Sequence, residues 1–387
     1  VIRGQDIVYV ANDWRAENKT SAHHVAEVLA RGNRILYIEA AGQRAPRASG
    51  RDLRRVVRKI AGALKRPRPV AEGVWVYSPL ILPFHRFGAA RHLNRLLLRS
   101  LLRLAVRRVG FERPLLWIVL PHYYSVVDDL PSCGVVYYCV DEYASQPDVD
   151  GDAIRRMEAH VLRRADVAFA VSAPLVAAKQ QLNANTYASP HGVDVSHFRR
   201  AMEPGAVPGD VRDIPRPIAG FFGLIEEWID LELMETAARA LPGVSFVLIG
   251  RSARPLGRLT ALPNVYVLGQ RPYAQLPDYL RTFDVGLLPY HLNTQVMNSN
   301  PKKLREYLAG GKPVVSVRVP EVERYSRLVR IADGPEQFTA AIAEAIAETG
   351  PERSRERAAA MEAESWEQRV ANVSDIVVRH IPAVRHD

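Results

Sequence analysis

Cysteine is scarce: Cys133 and Cys139 are the only two in 387 residues. Their spacing fits neither a CxxC redox pair nor a zinc site, so both read as core thiols of a protein in a reducing, cytoplasmic compartment. No uninterrupted apolar run of about 18 residues occurs, and the chain opens on strand-like residues rather than a signal peptide, so no membrane-spanning helix is expected. Short-period repeats and low-complexity tracts are also missing. Acids are scarce in one place only. Between Arg44 and Arg113, 18 Lys or Arg residues stand against Asp52, Glu72 and Glu112, whereas elsewhere 39 acids outnumber 34 bases. A basic region so localised suits one polyanionic partner: a nucleic acid, a membrane surface or an acidic polymer. Zinc-finger and aromatic RNP patterns are absent, which argues against nucleic acid.

What is present is an ordinary globular balance, 48% apolar and 24% charged, in a chain long enough for two domains. Val- and Ile-rich runs at Ile7, Arg34, Val74, Leu115, Val135 and Val167 alternate with helical patterns such as SAHHVAEVLARG and DAIRRMEAHVLRRAD. Such runs without clean alternation predict a parallel sheet covered on both faces. The Pro-, Gly- and Asp-rich AMEPGAVPGDVRDIPRP precedes a second series, PIAGFFG, VSFVLIG, NVYVLG, DVGLLPY, KPVVSV and LVRIAD. The expectation is α/β: two doubly wound Rossmann-like domains, 1–200 and 201–360, facing a cleft, and a C-terminal helical segment, 361–387, packing back on the body through Trp366. The cleft would be the ligand site.

The most specific local pattern is NSNPKKLREYLAGGKPVVS. Pro301 opens a helix and Gly310-Gly311 closes it, ordinary punctuation for a helix followed by a strand. Lys302 and Lys303 stand beside the helix N-terminus, where backbone N–H groups favour a phosphate, and Glu306 one turn on can accept bonds from vicinal ribose hydroxyls. Phosphate and ribose together mean a nucleotide.

That stretch, with NVYVLGQRPYAQLPDYLRTFDVGLLPY and HGVD, resembles the donor half of GT-B glycosyltransferases, particularly family 4-like members. NDWRAENKTSAHHVAEVLARGNRILYIE, DVAFAVSAPLVAA and ESWEQRV extend the resemblance over most of the chain. The first domain is similar to membrane-associated glucuronosyltransferases of the xanthan type, in its Asp-aromatic-Arg cluster after strand one, its Ser-Pro and its HGVD linker. The resemblance implies that Glu306 holds the donor ribose and Lys303 the pyrophosphate. It further implies that Gly223 lets the backbone approach a phosphate, that Arg251 offers a second positive charge, that the Gln270–Arg271 loop reads the base, and that Tyr290 edges the sugar pocket. Asp13, Trp14 and Arg15 would shape the acceptor pocket. Retaining members carry two glutamates separated by seven residues; the first position here is Asn298, which favours inversion and leaves retention as the alternative.

Inversion needs a base for the acceptor hydroxyl. Asp141, in VVYYCVDEYAS, follows a buried strand and matches the aspartate base of the similar glucuronosyltransferase; the other readings are a structural aspartate capping the next turn, or Glu142 as the base. His122, after another strand, is a second candidate. Asp148-Val149-Asp150 matches a metal-binding DxD but precedes a helix, where acids act as caps, and the same stretch lacks the Gly and Glu of an EF-hand, so no essential metal or other cofactor is expected.

Wound at about 100° per residue, RHLNRLLLRSLLRLAVRR from Arg91 places Arg95, Arg99, Arg103 and Arg107 on one half-face. Leu93, Leu97, Leu98, Leu101, Leu104 and Ala105 fill the other, and Leu96, Leu102 and Val106 stand among the arginines. With RDLRRVVRKIAGALKRPRP before it, this region (44–113) would hold the protein on an anionic membrane surface. The composite expectation is an enzyme at the inner face of the cell membrane that moves a sugar from a UDP-linked donor to a lipid-linked saccharide, in exopolysaccharide, capsule or lipopolysaccharide assembly. A nucleotide-sugar 2-epimerase and a nucleic-acid-binding protein are the alternatives.

Overall fold

The computed structural model describes residues 1–15, 19–39, 66–79, 88–146, 149–348 and 350–385, with 88–94 described by backbone alone. The chain separates into two compact units, Val1–Pro190 with Arg369–Asp387, and His191–Gln368. The first division falls at His191 because Val193, Val195 and Phe198 are part of the second unit's core. Residues 361–387 do not form a segment of their own. The helix Trp366–His380 begins in the second unit and continues into the first, where the His380 ring meets the Tyr187 hydroxyl at 2.8 Å.

The first unit holds an eight-stranded sheet in the order β3-β4-β2-β1-β5-β6-β7-β8. Its strands are β1 Asp6–Ala11, β2 Arg34–Glu39, β3 Arg68–Ala71, β4 Val74–Tyr77, β5 Leu115–Ile118, β6 Gly134–Cys139, β7 Val167–Ala170 and β8 Thr186–Ala188. All pair in parallel except β3, which runs antiparallel to β4. Side chains alternate between faces along a strand. One face buries Val8, Val10, Leu36, Ile38, Leu116 and Ile118. The other carries a ladder of aromatic rings, one per strand: Tyr37, Tyr9, Trp117, Tyr138, Phe169 and Tyr187, with successive centroids 5.5 to 6.4 Å apart.

Four helices matter to the first unit's site and surface: α1 Ser21–Ala30, α2 Gly88–Arg108, α3 Gly151–Arg164 and α4 Ala173–Gln180. Helix α2 corrects the expected wheel. Leu98, Leu102, Ala105 and Val106 are its buried stripe, so Leu102 and Val106 belong to the core, while Leu104 and Leu96 are 44% and 46% exposed. The four buried residues stand at i, i+4, i+7 and i+8, the spacing of one helix face. Arg95 and Arg99 lie 3.6 and 3.9 Å from the Asp129 carboxylate, and Arg103 Nε donates to the Asp129 carbonyl, so the arginine row runs along an acidic turn. Residues 44–65, most of the other basic stretch, lie outside the described residues. Among the described residues no helix is long and apolar enough to cross a membrane.

The second unit holds six parallel strands in the order β11-β10-β9-β12-β13-β14: β9 Ile218–Phe222, β10 Ser245–Ile249, β11 Val265–Gly269, β12 Val285–Leu288, β13 Val314–Val317 and β14 Arg330–Ala332. The reversal of strand order beside β9 opens a crevice beyond the carboxyl ends of β9 and β12, the usual ligand position in such sheets. Helices α5 Val195–Arg199, α6 Leu231–Ala240, α7 Leu276–Thr282, α8 Lys302–Ala309 and α9 Pro320–Glu323 pack on this sheet.

Candidate active site

In the second unit the carboxyl ends of β9 and β10 turn on two glycines. Gly223 has φ +139° and Gly250 φ +148°, backbone states that side-chain-bearing residues rarely adopt. A Cβ on Gly250 would strike the Gly223 carbonyl, and one on Gly223 would strike the Lys303 side chain. Lys303 therefore occupies the space that the missing side chain leaves. Its ammonium sits 5.4 Å from the Phe221 ring centroid and makes no hydrogen bond or ion pair with any described residue. Burial pulls its pKa down to about 8, although Glu306 pulls the other way. A lysine kept charged at neutral pH at such cost, beside a helix N-terminus, is suited to an anion. Glu306, one turn along α8, is 6% exposed, and the Lys302 ammonium lies 3.8 Å from it.

Of the other expected donor positions, Tyr290 is the one coupled to this pair. Tyr290, just past β12, is buried, bridges to Ile229, and has its hydroxyl pKa raised by burial and then by Glu306. Arg251 is exposed beyond β10, and its carbonyl accepts from Ile225 N–H. Gln270 and Arg271 follow β11. The Arg271 guanidinium is committed to Asp210 and to the Tyr279 hydroxyl, so what this loop can offer a base is its backbone. Asn298 closes the short helical turn Thr294–Met297 with a neutral amide.

In the first unit Asp141 follows β6. Glu142 N–H donates to its Oδ1 and Gln146 Nε2 to its Oδ2, both at 2.8 Å. Burial nevertheless raises its pKa above the ordinary carboxylate value, and these two bonds only offset it. Glu142 takes the anchoring position instead. Its carboxylate lies 3.8 Å from Lys179, which is bound at 2.7 Å to the buried Glu158 on α3; Glu158 also accepts from Tyr137 OH at 2.8 Å. His122 lies in the turn after β5, edge-on to Tyr123 at 5.1 Å.

Asp13, Trp14 and Arg15 follow β1. The Trp14 ring meets Tyr37 edge-on at 4.9 Å, Trp14 N–H donates to Glu39, and Arg15 N–H donates to Asp13 Oδ1. His23 on α1 fixes the loop from below: its Nδ1 accepts from Thr20 N–H, leaving Nε2–H to donate to the Asp13 carbonyl. Sequence reasoning missed Glu39, Gln146 and the Lys179–Glu158 pair. Glu39 was within reach of the same rule that found Asp141, an acid at the carboxyl end of a buried strand; the other three become visible only when separate elements meet. Asp150 caps α3 through Ala153 N–H, and Asp148 lies outside the described residues. Among the described residues no three His, Cys, Asp or Glu side chains gather as a metal-holding group.

Residues 216–348 match the family described as glycosyl transferases group 1. TuaH of Bacillus subtilis (strain 168), named for teichuronic acid biosynthesis as a glycosyltransferase, is 29% identical over 147 residues, which are 36% of this chain and 37% of that protein. The match thus spans little more than a third of that relative's length. Sucrose-phosphate synthase from Thermosynechococcus elongatus has a similar structure, with TM-score 0.70 and 14% identity over 98% of this chain and 100% of the other. HepE from Anabaena, solved in complex with UDP and glucose, gives TM-score 0.61 and 16% identity over 98% of this chain and 99% of its own. Two parallel-sheet α/β domains matching these structures, with the family match confined to the second, make residues 216–348 a glycosyl transferases group 1 domain in a chain of the GT-B fold.

Proposed function

We propose that the chain transfers a sugar from a UDP-linked donor to a saccharide on a membrane lipid, with inversion, during assembly of a cell-surface polysaccharide. The observation that carries the donor half is the half-buried Lys303 side chain, packed into the space at the Gly223 turn with Glu306 one helical turn away. A diphosphate between Lys303 and the amino end of α8 would place a ribose at Glu306. HepE's complex with UDP and the name of TuaH support the nucleotide and the polymer class respectively.

On the first unit, the Asp141 carboxylate has its pKa raised by burial and its orientation fixed by two donors, as a general base requires. Glu142, held toward Lys179, is less free for that role. Asn298 removes the carboxylate that would favour retention. Calorimetry with UDP tests the donor half: Lys303→Met and Glu306→Ala should each weaken binding by about 1.5–3 kcal/mol, the usual worth of bonds to a charged group. Unchanged affinity in both would remove the donor from this crevice.

The membrane half rests on α2. Its solvent face presents Leu96 and Leu104 beside exposed Arg107 and Arg108, an apolar strip with basic margins that fits an anionic leaflet. Vesicle sedimentation should show salt-sensitive binding to anionic lipid that Leu96→Glu with Leu104→Glu abolishes. Equal binding of the double variant would sink this part of the reading.

A further inference from the structure

Arg305 precedes Glu306 on α8 and is fully buried, 0% exposed, among the largest completely enclosed side chains of the molecule. Taking a guanidinium out of water is costly unless every donor is met, and here each end of the fork has a partner on a different segment. Nη1 donates to Asn300 Oδ1 at 2.6 Å, Nη2 to Glu321 Oε1 at 2.8 Å, and Nε to Glu364 Oε2 at 3.2 Å, while the Tyr325 ring lies 5.2 Å from Cζ. Glu321 opens α9 and is itself 4% exposed. Glu364 belongs to the 3-10 turn whose carbonyl accepts from Val193 N–H, next to the Val193–Ser365 bridge.

The partner that matters for chemistry is Asn300. It stands one residue before Pro301, the N-cap of α8, so the bond from Arg305 reaches back over the first turn and fixes where the helix begins. Lys303 and the amino end of that turn are the groups to which the donor diphosphate has been assigned. Glu321 and Glu364 in turn fix Arg305.

We propose that Arg305 is a positioning residue for the donor: it sets the register and direction of the amino end of α8, and through it the Lys303 ammonium, without touching the substrate. The proposal rests on the donor reading given above. A simple removal of Arg305 would take the cation away from buried Glu321 and half-buried Glu364 and destabilise the unit for reasons unrelated to the donor. Two other variants avoid this. Asn300→Ala cuts the arm to the helix start and leaves the charges balanced. Arg305→Met combined with Glu321→Gln and Glu364→Gln neutralises the network together.

Both proteins should melt within a few degrees of the unaltered chain, yet bind UDP roughly tenfold more weakly by calorimetry, as expected when a preorganised group loses its support. Lys303→Met is the control. If Lys303→Met weakens UDP binding while both Arg305-network variants bind as the unaltered chain does, the network is scaffolding and the proposal is overturned. If Lys303→Met leaves UDP binding unchanged, the donor reading is overturned and this proposal with it.

Discussion

Each unit places a lysine at the carboxyl end of its sheet, buried in the first and half-buried in the second, and the two live under opposite conditions. Lys179 is surrounded by Glu158, Glu142 and Cys139; burial alone would lower its pKa, but these neighbours raise it. Lys303 is half-buried, packed against glycine backbone and a phenylalanine ring, and the loss of solvent lowers its pKa to about 8. The first charge is spent inside the protein, as a brace under the Asp141–Glu142 loop. The second is left available. A buried charge with its counter-charge in place reports architecture, whereas one without reports a ligand.

The sharpest way to break this comparison is to neutralise each lysine. Lys179→Met should destabilise the protein by about 3–5 kcal/mol, because it leaves buried Glu158 uncompensated. Lys303→Met should leave stability unchanged or raise it, while UDP binding suffers. Urea unfolding read beside calorimetry separates the two, and equal destabilisation would end the distinction. Next in size, Asp141→Asn should lower turnover on the order of 100-fold with little change in UDP affinity, the loss expected for a general base acting after the donor is bound.

A smaller effect appears in the pH dependence of donor binding. In the free protein Lys303 has a pKa of about 8, and a neighbouring diphosphate must raise it. Binding is therefore strongest where the lysine is protonated in both states, and UDP affinity should fall as pH rises above about 8, with proton uptake on binding visible in buffers of different ionisation enthalpy. A flat profile between pH 7 and 9.5 would mean that another group carries the phosphate. The smallest effect concerns Gln146, whose bond lowers the Asp141 pKa. Gln146→Leu should move the acid limb of kcat/KM to higher pH, since the base must then lose its proton with one donor fewer. An unmoved limb would take Asp141 out of the profile.

The architecture was open to sequence reading because buried parallel strands announce themselves as Val- and Ile-rich runs. The runs at Ile7, Arg34, Val74, Leu115, Val135 and Val167 became β1, β2 and β4–β7. β3 and β8 escaped, since RPVA and TYA are too short and too polar or small to carry that signal. Helix α2 shows a subtler limit. Leucines occur all round its wheel, so hydrophobicity does not choose between two overlapping apolar faces; the stripe Leu98, Leu102, Ala105 and Val106 goes inside and Leu104 outside, with Arg95 and Arg99 near Asp128 and Asp129. For the site, residues that follow strands directly, such as Asp13, Asp141 and Gly223, were accessible by position. Arg305 was not, because an arginine beside Glu306 looks like any solvated helix residue until Glu321 and Glu364 arrive from other elements.

The ring ladder across β2, β1, β5, β6, β7 and β8 gives the first unit an optical identity of its own. Trp117 is fully enclosed, with Tyr9 stacked 6.0 Å away and Tyr138 at 5.8 Å on the other side. Chromophores held this closely in one chiral array couple, and their near-ultraviolet dichroism vanishes only when the sheet itself comes apart. Trp228 and Trp366 belong to the second unit and lie outside that array. Near-ultraviolet dichroism can thus follow the unfolding of the first unit's sheet by a signal that the second unit's tryptophans do not share.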